Sequence, residues 1–254
     1  MARDEAILEA VAAGLAPPTL RFYGWSGRWL SIGMAERIAD VDLTAARQVG
    51  VGIVRRPSGG TAVLHVDQVA WSLALPAGHP LAPADIVETY RRHGEITVDA
   101  LRRLGARARA ASVEDARAPL PDPVLAVACF GGLAPHEIVV GTPLRKLVGW
   151  GQVRRRGVVM HHAVLSLRFE PKALAQLLDA DRCRLVPALR RRVADLADAA
   201  GRTVAPRELQ QALVTSFVAA GYRLRPGALG EAEARRAAEL VQAKYAADEW
   251  TSRR

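Results

Sequence analysis

Two segments, well separated along the chain, contain the residue types that acyl-transfer chemistry requires. Residues 55–65 read Arg-Arg-Pro-Ser-Gly-Gly-Thr-Ala-Val-Leu-His, and residues 146–152 read Lys-Leu-Val-Gly-Trp-Gly-Gln, preceded by Cys129-Phe130. The first offers a glycine turn next to arginines, and the second offers a thiol, an amine and further glycine. Together they could hold an acyl group and attack its carbonyl carbon.

The turn at Ser58-Gly59-Gly60 follows a strand-like segment and precedes another. Glycine permits positive φ and leaves backbone N–H groups uncovered, so such a turn can approach a ligand closely. An ordinary hairpin turn explains Gly-Gly equally well. Arg56 before the turn and His65 after it favour a site for a polar or anionic group, although the spacing matches neither a Walker loop nor a dinucleotide fingerprint.

Cys129 ends an apolar segment and is followed by Gly131-Gly132. A cysteine in such a segment is commonly a small buried hydrophobe. At the end of a strand, however, its side chain could face a cleft and act as a nucleophile. That requires a cation or hydrogen-bond donors to lower the thiol pKa from about 8.5. Cys183, outside the core and away from any glycine turn, is interpreted as structural.

Lys146 is the candidate cation for this thiol, since the chain contains only three lysines, Lys146, Lys172 and Lys244. An ammonium is compact and can give up its proton when desolvated, whereas a guanidinium cannot. The sequence by itself does not establish that Lys146 and Cys129 are neighbours.

His161 and His162 are adjacent on a predicted strand, so at most one of them faces a given cleft. The spacing of His65, Cys129 and this pair fits no usual zinc pattern, and we expect no metal site. A hydrogen-bonding role near the cleft is the expectation for His162. Trp150 is expected to pack, either in the core or against an acyl chain.

The 254 residues carry a net charge of +9 and two cysteines. This composition predicts a soluble, cytoplasmic globular protein with reduced thiols, without a signal segment or a membrane span. Solvated charged faces of an arginine-rich chain explain most of the charge, but an acidic protein partner is also indicated. No nucleic-acid-binding pattern is present, and we expect no nucleic-acid partner and a monomer.

The elements around these residues predict an α+β fold, with a mixed, largely antiparallel sheet flanked by helices. We expect a core in residues 1–180 and a helical extension in residues 181–254 packed on it. The predicted strands are 20–25, 29–32, 51–55, 61–65, 69–75, 106–112, 124–130, 137–140, 146–152 and 158–169, with 61–65 and 69–75 as a hairpin. The predicted helices are 2–13, 42–49, 83–104 (weakened or split at Gly94), 172–178, 186–200, 206–221 and 229–247, and residues 113–123 are predicted to be a loop.

Taken together, residues 4–6, 20–25, 55–65, 129–130 and 146–152 resemble, in order, the lipoate/biotin protein ligase and octanoyltransferase superfamily. With Cys129-Phe130 in this region, the chain resembles the cysteine-dependent octanoyltransferase branch. ATP-dependent ligases typically carry an Asn-Asp element here. The resemblance implies a ligase-like core in which Cys129 carries an acyl-thioester and Lys146 lowers its pKa. The positions it implies for the acyl site are Arg56, Ser58, Gly59, Gly60, His65, Gly149, Gln152 and His162.

The resemblance further implies transfer of octanoyl from acyl carrier protein to a lysine of a lipoyl domain, in lipoate biosynthesis. The implied acceptors are the glycine-cleavage H protein and the 2-oxoacid dehydrogenase acyltransferase subunit, and no cofactor is required. An ATP-dependent ligase, an amidotransferase between lipoyl domains and a non-catalytic binder of carrier domains are the alternatives. Trp150-Gly151 departs from the family's usual small residues and could reshape the acyl tunnel.

Overall fold

The computed structural model describes residues 1–253 as a layered arrangement of two β-sheets and surrounding helices. The strands are β1 (Thr19–Tyr23), β2 (Arg28–Ile32), β3 (Val51–Arg55), β4 (Val63–His65), β5 (Gln68–Pro76), β6 (Ala108–Ala110), β7 (Ile138–Val140), β8 (Arg145–Arg155) and β9 (Val158–Ser166). The α-helices are α1 (Ala2–Ala12), α2 (Leu43–Gln48), α3 (Ile86–Arg103), α4 (Val113–Arg117), α5 (Pro171–Ala175), α6 (Arg182–Arg192), α7 (Leu196–Ala200), α8 (Pro206–Ala219), α9 (Glu231–Leu240) and α10 (Asp248–Thr251). Two 3₁₀-helices (Ile38–Asp40 and Pro123–Val127) and a π-helix (Val241–Tyr245) complete them.

The larger sheet has six strands in the order β1-β5-β9-β8-β7-β6, and every neighbouring pair is antiparallel. The smaller sheet has the order β3-β2-β4, in which β2 is parallel to β3 and antiparallel to β4. The predicted mixed, largely antiparallel α+β fold is therefore confirmed. No helix within residues 1–253 has the length and apolar character needed to cross a bilayer.

The predicted hairpin between residues 61–65 and 69–75 is wrong, because β4 and β5 belong to different sheets. β4 pairs with β2, with His65 opposite Trp29, whereas β5 pairs with β1 and β9. Asp67, between them, has φ of 48°, which lets the chain pass from one sheet to the other within a few residues. Strand propensity does not encode which neighbour a strand chooses, so the local pattern was compatible with both arrangements.

The predicted strand at 124–130 is also wrong. Pro123–Val127 forms a 3₁₀-helix, which begins at Pro123 and is capped by the Asp122 side chain accepting from the Val124 N–H at 3.0 Å. Of the residues in this predicted strand, only Ala128 forms a β-bridge, which is parallel and pairs it with Ala62. A proline and a capping aspartate at the start favour a helical turn over a strand, even in an apolar sequence.

Most predicted helices are present, with differences at their interruptions. α3 continues through Gly94, where a Cβ atom would lie 3.0 Å from the His136 carbonyl oxygen, so glycine allows close packing rather than breaking the helix. The segment 113–123, predicted to be a loop, contains α4. A capping box of Ser112 and Asp115 forms the N-terminal end of this helix. The helix predicted at 186–200 is two helices, because residues at 193–194 bridge to Lys146 of β8.

The C-terminal helices are present and contribute to the same apolar clusters as the sheets. Leu196, Leu209 and Leu213 are fully buried in a cluster with Trp71 and Leu147 of the six-stranded sheet. α1 packs against α9 through Ala6, Ala237 and their neighbours. The boundary near residue 180 stays a prediction, but helices on its C-terminal side help to fill the core.

We predict that Leu213→Ala lowers the free energy of unfolding by about 2–5 kcal/mol, because it leaves a cavity at a fully buried position of α8. Val218→Ala in the same helix is the matched control: Val218 is 54% exposed, and a change within about 0.5 kcal/mol is expected. Urea unfolding measures both. Equal small effects would mean that α8 does not contribute to the stability of the core.

Candidate active site

A cavity with about 470 Å³ of empty space, its open mouth included, lies where the two sheets face each other. Strands of both sheets line it, together with the chain start, the loops after β1 and β3, and the Cys129 segment. The lining residues are Met1, Tyr23, Trp25, Ser31, Arg56, Ser58, Val63, His65, Ala70, Cys129, Gly149, Trp150, Gly151, His162, Ala163 and Val164. The two sequence segments predicted to form a site therefore meet in one cavity.

Cys129 is held in the cavity wall by the backbone on either side of it. Its N–H donates to the Ala62 carbonyl oxygen at 3.0 Å, next to the bridge between Ala128 and Ala62. The side chain is half-buried and its thiol is free of any disulfide. Cys183 is also free, but it is exposed on α6 and does not line the cavity. Cys129 is thus the thiol that a substrate in the cavity can reach.

Lys146 lies directly behind the Cys129 segment and is fully engaged there. Its Nζ donates to the carbonyl oxygens of Cys129 at 3.0 Å and Gly132 at 3.1 Å, and lies 2.7 Å from Glu137 Oε2. Both members of this ion pair are 3% exposed. An ammonium has three N–H donors, and these three partners account for all of them.

Glu137 is equally well satisfied on the other side of the pair. Its Oε2 accepts from the Ala134 N–H at 2.8 Å, and its Oε1 accepts from the Trp150 N–H at 3.0 Å. The carboxylate therefore ties the loop after Cys129 to β8, in addition to pairing with Lys146. A buried ion pair is tolerated when its remaining hydrogen-bonding capacity is used in this way.

Arg56 places a guanidinium at the cavity wall opposite this pair. The side chain is 8% exposed and donates to the carbonyl oxygens of Gly59 at 2.8 Å, Thr61 at 2.8 Å and Ser31 at 3.1 Å. Burial lowers the pKa of Arg56, and the proximity of Cys129 acts in the opposite direction. Gly60, with φ of 87°, has no Cβ to obstruct this arrangement.

Ser58 presents a hydroxyl to the cavity without a partner. Its Oγ is buried and makes no hydrogen bond within the described residues. It packs against Gly151 of β8, where a Cβ atom would come within 3.0 Å of that oxygen. The Ser-Gly-Gly turn and the glycine of β8 thus fit together, and the unsatisfied hydroxyl points to a polar group of a ligand.

His65 belongs to a hydrogen-bonded chain that forms part of the cavity wall. Its Nδ1 lies 3.0 Å from Gln68 Oε1 and its Nε2 lies 2.7 Å from Ser31 Oγ, while the Trp25 ring stacks on it at 4.0 Å. Burial, reinforced by the charge of Arg56, lowers the pKa of His65 to about 3. His65 is therefore neutral near pH 7 and serves as a support for its neighbours.

His162 faces the cavity, as one of the two adjacent histidines was expected to do. Its Nε2 lies 3.8 Å from Asp4 Oδ2 and makes no hydrogen bond within residues 1–253. Burial lowers the pKa of His162 to about 4, against the opposing attraction of Asp4. His161 lies on the other face of β9, packed against His93 and Trp150. His162 is thus a neutral imidazole that can accept a proton.

The remaining predicted residues lie at or beside the cavity. Gly149 lines it, and Gly60 separates Arg56 from Cys129. Gly59 accepts a hydrogen bond from Arg56 but does not line the cavity. Gln152 is also outside the lining, and its Oε1 accepts from Arg154. The acyl-site roles of these four residues, and those of Arg56, Ser58, His65 and His162, stay predictions.

Sequence reasoning missed several residues of this site. Glu137 is the partner of Lys146, and the only signal for it was a lone carboxylate before the apolar run 138–140. Asp4 stood within the resemblance but had no assigned role, although it is 2% exposed and bonded to Arg21 at 2.7 Å. Trp25 lay within the resembling segment 20–25 without an assigned role, and Ser31 gave no signal, since strand residues of these types usually indicate packing.

The cavity combines a thiol, a buried cation, a neutral imidazole and unpartnered polar atoms. The atoms without partners are Trp25 Nε1, Ser58 Oγ and His162 Nε2. A thiol with these neighbours can attack a carbonyl carbon, pass through a covalent acyl intermediate and return the acyl group to a second nucleophile. Among residues 1–253, no three His, Cys, Asp or Glu side chains are grouped closely enough to hold a metal ion.

Comparison with known proteins agrees with this chemistry. Residues 1–218 match the family described as the lipoyl protein ligase A/B catalytic domain. The octanoyltransferase LipM of Kyrpidia tusciae is 41% identical over 100% of this chain and 94% of its own length. The octanoyltransferase LipM of Symbiobacterium thermophilum is 36% identical over 100% of this chain and 93% of its own length.

Solved structures with this fold include lipoate protein ligases. A lipoate-protein ligase A bound with ATP has a TM-score of 0.79 and 28% identity, covering 99% of this chain and 92% of its own. A bipartite lipoate protein ligase from Thermoplasma acidophilum, solved in work that included its E2 lipoyl domain, has a TM-score of 0.78 and 24% identity. That match covers 98% of this chain and 91% of the ligase, and it supports the fold alone.

We predict that Lys146→Met lowers the free energy of unfolding by about 3–5 kcal/mol, because it leaves the buried Glu137 carboxylate without its cation. Arg145→Met is the matched control, since Arg145 pairs with Asp198 at the surface and such pairs contribute about 0–1 kcal/mol. Urea unfolding at neutral pH distinguishes the two. A neutral effect of Lys146→Met would show that Glu137 does not depend on this pair.

Proposed function

Since the chain belongs to the lipoyl protein ligase A/B catalytic domain family, we propose that it transfers octanoyl to a lysine of a lipoyl domain through a thioester on Cys129. One observation carries this proposal: the free thiol in the cavity is the half-buried Cys129, in a chain that matches octanoyltransferases over its full length. The donor is octanoyl-acyl carrier protein, and the reaction belongs to lipoate biosynthesis.

In the first half-reaction, the Cys129 thiol loses its proton and the sulfur attacks the thioester carbonyl of the donor. A new C–S bond forms, the bond to the carrier thiol breaks, and the departing thiolate takes up a proton. Ser58 Oγ, buried without a partner in the cavity, is placed to donate to the carbonyl oxygen as negative charge develops on it. Octanoyl remains on Cys129 as a thioester.

In the second half-reaction, the ε-amine of the acceptor lysine attacks the acyl-enzyme. An amide bond forms, the bond to Cys129 breaks, and the amine must give up a proton. His162 is the better acceptor for that proton, because its Nε2 lines the cavity and has no hydrogen-bond partner within the described residues. Lys146 has three donor contacts and, as an ammonium, no free lone pair.

The apolar part of the lining suits an acyl chain. Val63, Ala70 and Val164 present aliphatic side chains to the cavity. The Trp150 indole lies on the other face of the sheet, packed against Trp71 and His161, and is fixed by donating from its Nε1 to the His136 carbonyl oxygen at 3.0 Å.

Charge and chemistry also fit the proposed partners. Acyl carrier protein and lipoyl domains, such as the glycine-cleavage H protein or the 2-oxoacid dehydrogenase acyltransferase subunit, are expected to be acidic, and a net charge of +9 favours their approach. A reduced Cys129 is needed for the reaction, which is consistent with action in the cytoplasm.

We predict that mixing the protein with octanoyl-acyl carrier protein adds one octanoyl group to Cys129, seen by mass spectrometry of the intact chain. Cys129→Ala should gain none, because it lacks the nucleophile. Cys183→Ala is the matched control and should be acylated like the wild type, since Cys183 lies outside the cavity. Full transfer activity in Cys129→Ala would refute the thioester mechanism.

The same assay separates the transferase from an ATP-dependent ligase, which the likeness to the ATP-bound ligase structure makes the second candidate. Octanoyl-acyl carrier protein is offered against free octanoate with ATP. Modification of the lipoyl domain from the first donor alone is the expected result. Modification from the second, retained in Cys129→Ala, would identify a ligase.

We predict that His162→Gln forms the acyl-enzyme but transfers octanoyl to the lipoyl domain about 10²–10⁴-fold more slowly, because the proton acceptor is lost. Single-turnover experiments starting from isolated acyl-enzyme measure this step alone. His161→Gln is the control, since His161 lies on the opposite face of β9 and does not line the cavity. Equal slowing of both half-reactions by His162→Gln would indicate a purely structural role.

A further inference from the structure

The charges around Cys129 are not equivalent, and the difference begins with Arg56. All five of its hydrogen bonds within the described residues go to neutral acceptors: the carbonyl oxygens of Gly59, Thr61 and Ser31, and Ser31 Oγ. No carboxylate within residues 1–253 lies within ion-pair distance of it. The Glu36 carboxylate acts on Arg56 only from beyond that distance, so Arg56 presents a buried positive charge without a direct ion pair, which is costly to maintain.

This charge lies next to the nucleophile. A Cβ atom placed on Gly60 would be 2.8 Å from Arg56 Nη2 and 3.6 Å from Cys129 Sγ, so both atoms border the same small space. Glycine is required there, because its φ of 87° and the short contact to Nη2 both disfavour a side chain. Nothing of the protein's own side chains fills that point between the guanidinium and the sulfur.

Lys146 differs from Arg56 both in having an ion-pair partner and in the group of Cys129 that it contacts. Its ammonium is neutralised by Glu137 at 2.7 Å, and it contacts the carbonyl oxygen of Cys129 rather than being directed to an unpaired anion. Arg192 donates to the Gly131 carbonyl oxygen at 3.0 Å and adds to the positive charge acting on Glu137. The pair of Lys146 and Glu137 therefore contributes little net charge to the thiol.

Arg192 apart, the other titratable side chains facing this region do not supply a cation, and burial lowers the pKa of the Met1 α-amino group, which lines the same cavity. His65 and His162 are neutral, because their pKa values are lowered to about 3 and about 4 by burial. Burial raises the pKa of Tyr90 to about 12, with Glu137 and Cys129 adding to the effect, so the phenol is also neutral. Glu36 accepts from two backbone N–H groups, and burial raises its pKa.

The support for Arg56 is arranged so that its charge is kept. Gln68 donates its amide to the Leu64 carbonyl oxygen, so its Oε1 is the acceptor for His65 Nδ1–H. His65 Nε2 must then accept from the Ser31 hydroxyl, whose oxygen in turn accepts from Arg56 Nη1 at 3.3 Å. This chain fixes the guanidinium through neutral groups only.

We propose that Arg56 is the cation that stabilises the Cys129 thiolate, while the Lys146–Glu137 pair holds the Cys129 segment in place. The proposal rests on the proposed function, in which this thiolate attacks the donor. The proton leaves Cys129 for solvent, and the thiolate that remains is paired with a guanidinium that stays protonated throughout. Arg56 thus acts on the reacting sulfur and not on the acyl chain alone.

The test follows the alkylation of Cys129 by iodoacetamide as a function of pH, in a Cys183→Ala background where Cys129 is the single thiol. Arg56→Gln should move the midpoint of the profile upward by about one pH unit or more, because the thiolate loses its nearby positive charge. Arg56→Lys, which keeps a charge, should lie closer to wild type. A wild-type midpoint in Arg56→Gln overturns the proposal.

Two further variants distinguish an effect of the Arg56 charge on the thiol from an effect of disturbed folding. Arg55→Gln is the matched control, since Arg55 is also buried but donates towards Gly33, Glu36 and Thr251 instead of the cavity; its midpoint should be unchanged. The double variant Lys146→Gln with Glu137→Gln removes both charges but keeps hydrogen-bonding side chains beside the Cys129 segment, and should also keep the midpoint. An upward shift of a full unit in the double variant overturns the proposal, even where Arg56→Gln fails to fold.

The same samples, given octanoyl-acyl carrier protein, distinguish this inference from the proposed function. If Cys129 is acylated in the parent protein but Arg56→Gln has an unchanged alkylation profile, the role of Arg56 is refuted and the transferase remains. If the alkylation profile shifts as expected but no octanoyl is ever taken up, the transferase is refuted and the charge assignment remains.

Discussion

The buried ion pair between Lys146 and Glu137 connects the parts of the chain that must stay together for a site to exist. Lys146 binds the carbonyl oxygens of Cys129 and Gly132, while Glu137 binds the N–H groups of Ala134 and Trp150. The loop after Cys129 has little regular structure of its own, so these contacts fix its position relative to β8. Removing either partner would leave a charge in a place that water does not reach.

That constraint explains why the charge acting on the nucleophile is separate from the charge that holds the loop. An ammonium that must pair with a carboxylate to be buried has already lost most of its field at neighbouring atoms. The guanidinium of Arg56 is held instead by carbonyl oxygens and the Ser31 hydroxyl, which orient it without cancelling its charge. The two cations thus divide support and electrostatics between them.

The sequence was sufficient for the residues that belong to a compact motif. Ser58-Gly59-Gly60, Cys129 and the glycines of β8 could be assigned to one site through their order in the family resemblance, because their residue types alone also fitted an ordinary turn and a buried thiol. The pairing of Lys146 with Glu137 could not be predicted from the sequence. It depends on the register of β7 against β8, which shifts at Ile138/Val139. The assignment of β4 and β5 to different sheets was likewise set by tertiary packing, which local propensity does not encode.

A buried and unpaired guanidinium is an expensive feature, and its persistence is itself an argument about function. A neutral side chain of similar length could fill the same volume without the cost of desolvating a charge. The cost is offset when an anion forms beside it, as happens each time Cys129 loses its proton. Strained or unsatisfied groups that a fold retains at a cavity are characteristic of sites where stability is given up for activity. Ser58 Oγ and His162 Nε2 meet that description in the cavity that Cys129 lines, and Arg56 adds a buried charge without an ion pair.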